Sequence, residues 1–216
     1  RSDGFPFSLT IGIYASLVVV FAGILFGSVC ALRQNKLIDR FFMVLSTLGS
    51  TIPSFVLATG FLFLFSKTLG LVPAFGVDEV AGYIGPVLVI GAFPLSFITR
   101  LTRTSLVEVQ QQDYIRTARS KGISEFKVIY KHALRNALLP VVTYIGPMVA
   151  SIVTGSFVIE TVFGIPGVGQ LFTDSIVNRD YPLIMGITVF FAVLLVLAVL
   201  IVDLVYVLID PRIKLD

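Results

Sequence analysis

The stretch "YPLIMGITVFFAVLLVLAVLIV", residues 181–202, runs for 22 positions without a charged side chain. A helix needs roughly 20 predominantly apolar residues to cross the hydrocarbon core of a bilayer. The stretch shows none of the alternation of polar and apolar residues that is typical of a transmembrane β-strand. Residues 181–202 are therefore predicted to form a membrane-spanning helix.

Four other windows of the chain have the same character. They cover residues 4–32, 41–66, 80–99 and 136–159, and each has at least 20 residues between successive charges. Of the 216 residues, 56% are hydrophobic and 13% are charged, whereas about 25% are charged in an ordinary soluble domain. The sequence predicts an all-α fold, a polytopic membrane bundle of five transmembrane helices in a single domain, residues 1–216.

Two local features bear on the packing of these helices. Pro53 lies well inside the second window, where a proline is expected to kink the helix. Gly23 and Gly27 form a small-xxx-small pair in the first window, which predicts a close approach to another helix.

The distribution of lysine and arginine predicts the orientation of the bundle. Thirteen of the 16 basic residues fall between predicted helices one and two, between helices three and four, or in the C-terminal tail. Because basic residues are enriched in cytoplasmic segments, these segments are predicted to be cytoplasmic, with the N-terminus outside and the C-terminus inside. The start lacks an initiator methionine and a signal-peptide region, so we expect the chain to be a fragment.

The sequence offers little chemistry of its own. It has one histidine, His132, and one cysteine, Cys30, which disfavours a histidine-rich metal site, a catalytic triad and a disulfide framework. No G-x-x-x-x-G-K-[ST] motif occurs in the sequence, so we expect no ATP hydrolysis by this chain. The basic segment lacks the interleaved aromatic residues of a nucleic-acid surface. An intrinsic enzyme and a nucleic-acid-binding protein are therefore both disfavoured.

Charge is concentrated in "QDYIRTARSKGISEFKVIYKHALRNALLP", residues 112–140, with six lysines and arginines against two acidic residues. Residues 104–121 are polar and free of glycine and proline, so the third helix is predicted to continue out of the membrane. Gly122 then predicts a left-handed C-terminal cap. Ser124 followed by Glu125 predicts the start of a new helix, so the chain is expected to turn a corner here.

The new helix carries one apolar stripe at helical spacing. Its members are Phe126, Ile129, Tyr130, Ala133 and Leu134. A helix of about ten residues is marginal in isolation, so the stripe must pack against something. The residues alone leave three partners open: the lipid interface, the protein's own helix ends, or another protein.

The same segment resembles the cytoplasmic EAA loop of permease subunits in binding-protein-dependent ABC importers. The pattern of that loop is E-A-A, three residues, glycine, nine residues, and then I-x-L-P. With Gly122 as the glycine, E-A-A falls on Arg116, Thr117 and Ala118, and I-x-L-P falls on His132, Ala133, Leu134 and Arg135. Only Ala118, Gly122 and Leu134 match literally, and "DYIRTARSKG" followed by "HALRNALLPVV" is the form seen in oligopeptide and dipeptide permeases.

Three further segments extend the resemblance over nearly the whole chain. They are "GSTIPSF" at 49–55, "GSFVIETVFGIPGVGQLF" at 155–172 and "RDYPLIMG" at 179–186. These segments are similar to the first of the two permease subunits in peptide importers. The resemblance implies a further N-terminal transmembrane helix, a cytoplasmic coupling loop at 100–135 and an external loop at 160–182.

The resemblance also implies a division of labour. The chain would be a permease subunit in a bacterial or archaeal inner membrane, paired with a second, similar permease to form a path for peptides or a related small solute. Two cytoplasmic ATP-binding subunits would hold ATP and Mg²⁺ and bind the coupling loop, and an external binding protein would deliver the solute. No cofactor would bind this chain itself. Similar permeases carry nickel complexes or glutathione, so the cargo stays open.

Two sets of candidate site residues are predicted, the first from the resemblance and the second from the external turn "ETVFGIPGVG", whose proline and glycines suit a tight re-entrant segment. Coupling to the ATPase is predicted for Arg116, Thr117, Ala118, Gly122, Ser124, Glu125, Phe126, Ile129, Tyr130, His132, Leu134 and Arg135. A gate or external-loop role is predicted for Glu160, Phe163, Pro166, Gly167 and Gly169. Glu160 and Asp203 lie at or near membrane depth, where a charge at the centre costs about 2.5–3.5 kcal/mol, so a cavity or interface is expected around them.

Two alternatives of other classes remain. The first is a membrane-embedded assembly or interaction subunit that binds anionic lipid or a cytosolic partner without moving solute. Co-purification with a Walker-motif ATPase would separate it from an importer permease. The second is a secondary transporter, which is disfavoured because buried ion-site carboxylates are scarce and no inverted repeat is visible.

Overall fold

The computed structural model describes residues 4–77, 79–153 and 156–209, without the side chains of residues 202, 203 and 205–209. The described residues form helices and turns and no β-strand, which confirms the all-α prediction. The helices are α1 (Gly4–Leu32), α2 (Leu37–Thr51), α3 (Ser54–Thr68), α4 (Ile84–Gln110), α5 (Asp113–Ser120), α6 (Glu125–Ala137), α7 (Leu139–Val153), α8 (Phe157–Val162), α9 (Val168–Val177) and α10 (Tyr181–Ile209). The side chain of Asp203 lies outside this description, so its predicted role stays a prediction.

Three of the described helices are long and apolar enough to cross a membrane: α1, α4 with the turn before it, and α10. Two bent helix pairs, α2 with α3 and α6 with α7, raise the number to five if each pair is one span. The first break falls at Pro53, the N-cap of α3, where the missing amide hydrogen of proline removes a helical hydrogen bond. The predicted kink at Pro53 is confirmed, and the five predicted spans agree with this upper number.

The chain divides into two compact units. The described parts of residues 1–18, 52–92 and 146–216 form the first. Aromatic packing joins three helices within it, because the ring of Phe157 in α8 lies 4.8 Å from that of Phe172 in α9 and 5.3 Å from that of Phe191 in α10. A Cβ on Gly12 would lie 2.8 Å from the Cα of Val153. The start of α1 therefore approaches the end of α7 at backbone distance.

The second unit comprises residues 19–51 and 93–145. Glycines on α1 allow it to pack closely on α4: a Cβ on Gly23 would lie 2.6 Å from Ile98, and one on Gly27 would lie 2.6 Å from Thr102. The close approach predicted for this glycine pair is therefore confirmed. Toward the ends of α1 and α4, a core of small and aliphatic side chains joins them to α5 and α6. Its buried members are Ala31, Leu106, Ile115, Ala118, Val128, Ala133 and Ala137.

Two predicted helix boundaries are wrong. The helix expected over residues 104–121 breaks after Gln110, and α5 begins at Asp113 with an extended Gln112 as its N-cap. This break returns the buried face of α5 to the core around Leu106, which a straight helix would leave. The fourth window, 136–159, is also interrupted: Ser156 has an extended backbone, and α8 begins after it at Phe157 as a short helix.

Candidate functional site

The corner between α5 and α6 is built by Gly122, which has φ +72°. Its amide donates to the carbonyl of Arg119 at 3.0 Å, and the next amide, of Ile123, donates to the carbonyl of Ala118 at 3.4 Å. This pair of bonds is the Schellman arrangement, in which a left-handed residue closes the helix end. The predicted left-handed cap is therefore confirmed.

The start of α6 is fixed by an ion pair across the corner. Ser124 occupies the N-cap position, but its side chain makes no capping hydrogen bond. The guanidinium of Arg119 instead donates to both carboxylate oxygens of Glu125, at 2.7 and 3.1 Å. These hydrogen bonds lower the pKa of Glu125 below its ordinary value, so the carboxylate stays charged at neutral pH. Because Glu125 is largely exposed, such a pair orients the corner more than it stabilises the fold.

The structure divides the predicted apolar stripe of α6 between two faces. Ile129 and Ala133 are buried at 6% and 0% exposure, so they pack within the protein. Phe126 and Tyr130 are 69% and 56% exposed, and their ring centroids lie 4.4 Å apart. The inner half of the stripe therefore packs on the protein's own helix ends, while the outer aromatic pair stays exposed, which leaves the lipid interface or another protein as its partner.

The other candidate coupling residues fall into the same two classes. Those that are exposed are Arg116, Thr117, Gly122, Ser124, Glu125 and Arg135. His132 and Leu134 are half-buried, while Ala118 lies in the core at 8% exposure. Because Ala118 and Ile129 are buried, they can influence the exposed surface only by supporting the residues that form it.

Sequence reasoning missed two links that hold this element. The side-chain amide of Asn136, in α6, donates to the hydroxyl of Tyr114, in α5, at 2.8 Å. On the neighbouring helices, Arg103 of α4 binds the carboxylate of Asp39 in α2 at 2.6 and 2.7 Å. A signal for the second link is present in the sequence, since Asp39 is the one acidic residue among the basic residues between the first two windows.

The second candidate set centres on Glu160, which is 1% exposed. One carboxylate oxygen accepts a hydrogen bond from the hydroxyl of Ser8 at 2.8 Å, and the other accepts from the amides of Gly169 and Gln170 at 2.7 and 3.3 Å. The Ser8 oxygen in turn accepts from the amide of Val168 at 3.2 Å. Ser8 and Glu160 thus satisfy three of the free amides at the start of α9, where a negative charge is also favoured by the helix dipole.

The glycines of this segment make room for that carboxylate. A Cβ on Gly167 would overlap the carboxylate of Glu160, and one on Gly169 would lie 2.8 Å from it and 2.9 Å from the Cα of Phe157. Phe163 is buried at 3% exposure, whereas Pro166 is exposed. The structure therefore brings Glu160, Gly167 and Gly169 together as one packed element, with Phe163 in the core beside it.

A metal centre finds no support in the described parts of the chain, where no group of three or more histidine, cysteine, aspartate or glutamate side chains could hold an ion. What the two sets offer is mechanical. One presents an aromatic pair on a firmly packed short helix, and the other ties a buried carboxylate to the start of α9.

Comparison with known proteins identifies the family. Residues 23–215 match the family described as the inner membrane component of binding-protein-dependent transport systems. The chain belongs to this family. It is therefore a multi-pass membrane transport component and not an enzyme in its own right.

Relatives of this permease agree with the assignment. It is 50% identical over 212 residues to the dipeptide transport system permease protein of Bacillus subtilis, covering 98% of this chain and 69% of that protein. It is 43% identical over 215 residues to the oligopeptide transport system permease protein of Haemophilus influenzae, covering 99% and 70%. The resemblance inferred from the basic segment and the "FVIETVFGIPGVG" stretch is confirmed, and the alternative of an assembly subunit without a transport role is not favoured.

Solved structures show the same fold for the permease. A chain of the inward-facing MetNI methionine ABC transporter superposes with a TM-score of 0.73 at 16% sequence identity, over 94% of this chain and 92% of that one. A second crystal form gives a TM-score of 0.62 at 18% identity, over 95% and 97%. The predicted ABC importer permease fold is confirmed.

Proposed function

We propose that this permease forms half of the translocation path of an ATP-driven importer of peptides. It pairs with a second, similar permease, and an external substrate-binding protein delivers the solute. The names of the relatives support a peptide cargo, since they are dipeptide and oligopeptide permeases. No cofactor binds this chain, and ATP and Mg²⁺ are held by two cytoplasmic ATPase subunits.

The observation that carries the proposal is the exposed aromatic pair of Phe126 and Tyr130. Aromatic side chains are enriched at the centres of protein interfaces, where they anchor binding. The pair stands on a helix whose opposite face is buried in the core of its own unit, so it is presented in a fixed position. We assign it to a groove on a cytoplasmic ATPase subunit, with the exposed cations of α5 and α6 around it.

The buried face of α6 supplies the route by which that contact acts. Val128 and Ala133 pack with Ala31 of α1 and Leu106 of α4 in one core. Close-packed interiors move as rigid bodies rather than deforming continuously. Movement of an ATPase subunit on Phe126 would therefore shift the ends of α1 and α4 with α6. On the external side, we propose that the element around Glu160 takes part in gating.

Reconstitution of the assembled transporter tests the function. The permease is co-expressed with its partner permease and ATPase subunits, placed in proteoliposomes and supplied with the binding protein and labelled di- and tripeptides. We expect uptake that requires both ATP and the binding protein, and no ATP hydrolysis by the permease alone. Hydrolysis by the lone chain, or peptide uptake that proceeds without ATP, would refute the division of labour.

Cysteine labelling tests the proposed orientation, in which the basic segment is cytoplasmic and both the N-terminus of this chain and the external loop face outward. The single native cysteine, Cys30, is buried and can be replaced by alanine. Ser124→Cys and Leu71→Cys then place one thiol each at exposed positions. We expect an impermeant reagent to label Ser124→Cys only from the cytoplasmic side and Leu71→Cys only from outside. The opposite pattern would invert the topology.

A further inference from the structure

Helix α2 buries two polar side chains and exposes a row of apolar ones. Asp39 and Ser46 are buried, at 2% and 5% exposure. The outer face is a continuous apolar stripe, formed by Leu37 at 82% exposure, Phe41 at 63%, Val44 at 60% and Leu48 at 49%. These positions are four, three and four residues apart, so they share one helix face. An exposed apolar face of this kind marks contact with lipid or with another protein.

Exposed cations surround the first residue of this stripe. Arg33, Lys36 and Arg40 are all exposed and line an open surface depression of about 550 Å³ together with Asn35, Leu37 and Ile38. The depression therefore joins three positive charges to the beginning of an apolar track.

The backbone of this turn is held in place by hydrogen bonds. Asn35 has φ +64°, a left-handed conformation that asparagine tolerates better than most residues. The backbone amide of Asn35 donates to a carboxylate oxygen of Asp39 at 2.8 Å. The backbone amide of Lys36 donates to the carbonyl of Arg33 at 3.0 Å. The cations are thus presented by a preformed turn.

Asp39, the acidic residue next to Arg40 in the sequence, is already paired with Arg103. Arg103 binds both carboxylate oxygens of Asp39, and the side chains of Asp39 and Arg103 are only 3% and 22% exposed. Among the described residues, no ion pair joins Arg33, Lys36 or Arg40 to a carboxylate. Arg40 and Arg103 share the charge of Asp39, and the turn as a whole keeps a net positive charge at the surface.

We propose that the turn from Arg33 to Arg40 binds the headgroup of an anionic phospholipid, with an acyl chain lying along Leu37, Phe41 and Val44. The cations match an anionic headgroup, and the apolar track that continues from them matches an acyl chain. A phospholipid combines these two parts in one molecule. Free phosphate would use the cations alone, and a protein partner would need acidic groups placed at the end of an apolar surface. This site is separate from the α5–α6 corner and does not depend on the transport proposal.

Fluorescence quenching tests the site directly, because the sequence contains no tryptophan. Phe41→Trp places a single reporter on the apolar track of the full chain, purified without its partner subunits. Phosphatidylglycerol with brominated acyl chains is titrated against brominated phosphatidylcholine in mixed micelles. We expect selective quenching by the anionic lipid, weakened about fivefold for each cation removed and roughly a hundredfold in Arg33→Gln/Lys36→Gln/Arg40→Gln.

A matched control removes three exposed cations elsewhere. Lys127→Gln/Lys131→Gln/Arg135→Gln changes the net charge equally but lies on α6, so it should leave the quenching unchanged. Native mass spectrometry of the chain without the tryptophan, counting retained phosphatidylglycerol, gives an independent measure. Equal quenching by both lipids, equal loss in both triple variants, displacement by inorganic phosphate, or absence of quenching by either lipid would each overturn the proposal.

Discussion

The hydroxyl of Ser8 donates a 2.8 Å hydrogen bond to the carboxylate of Glu160, which lies 152 residues further along the chain. The same serine oxygen accepts the amide of Val168, and the carboxylate accepts the amide of Gly169. The start of α1 and the start of α9 are therefore tied through one buried carboxylate. A carboxyl group this deeply buried is tolerated because each of its oxygens is hydrogen-bonded.

Replacing Glu160 tests this tie. Glu160→Ala leaves the amides at the start of α9 without acceptors, and an unsatisfied buried donor costs about 1–3 kcal/mol. We expect a lower Tm and faster amide exchange at Gly169 and Gln170. Glu160→Gln keeps the shape and one carbonyl acceptor, so it should recover much of the loss. Identical thermal unfolding of the alanine variant and the wild type would show that the carboxylate does not hold α9.

Gly169→Ala tests the space around the same carboxylate. The added Cβ would lie 2.9 Å from the Cα of Phe157, a backbone atom that cannot rotate away. Overpacking of this kind typically costs about 1–3 kcal/mol, so we expect a reduced Tm. Gly186→Ala is the matched control, because nothing lies within 4 Å of that position. It should be neutral or stabilising, since alanine favours a helix by about 1 kcal/mol over glycine.

Much of the fold was readable from the sequence, because a bilayer requires long uncharged windows and their lengths leave few alternatives. The corner at Gly122 was readable for a similar reason, since few residues other than glycine adopt a left-handed helix end. The break after Gln110 was not. It depends on the return of Ile115 to a core formed by distant helices, and helix propensity does not record such tertiary packing.

The candidate sites were readable only in part. Helical spacing placed Ile129 and Tyr130 on one stripe, but neighbouring positions can diverge in exposure at the edge of a core. The role of Ser8 left no signal, because a serine in an apolar window commonly bonds its own helix, and its partner lies far along the chain. Glu160 was singled out by its depth, yet its partners became visible only in the fold.

Substitution of Gly122 tests the orientation of α6 separately from the contact of α6 with the ATPase. At φ +72° a left-handed backbone costs a non-glycine residue about 1–2 kcal/mol, and nothing lies within 4 Å of an added Cβ. Gly122→Val should therefore tilt α6 without a steric clash. We expect the complex to co-purify but to transport less peptide per ATP hydrolysed. Gly122→Asn should be milder, because asparagine tolerates this conformation. A coupling ratio unchanged in the valine variant would exclude a role for the corner angle.

Substitutions in the two halves of the α6 stripe are expected to affect different properties, namely ATPase binding and stability. Phe126→Ala removes an exposed side chain, so the Tm of the isolated permease should stay unchanged. If the ring anchors an ATPase, its loss should cost about 2 kcal/mol of binding, which is roughly a thirtyfold weakening. Ile129→Ala opens a cavity in the core and should lower stability by about 2–5 kcal/mol.

Both variants are measured by thermal unfolding of the permease and by the affinity of the ATPase subunits for it. We expect the two effects to separate: Phe126→Ala should weaken ATPase binding without changing the Tm, and Ile129→Ala should first lower the Tm. Tyr130→Ala should follow Phe126→Ala, because the two rings lie 4.4 Å apart and share one exposed surface. Normal ATPase affinity in both aromatic variants would mean that the pair does not dock an ATPase, and that the cations of α5 and α6 serve membrane topology alone.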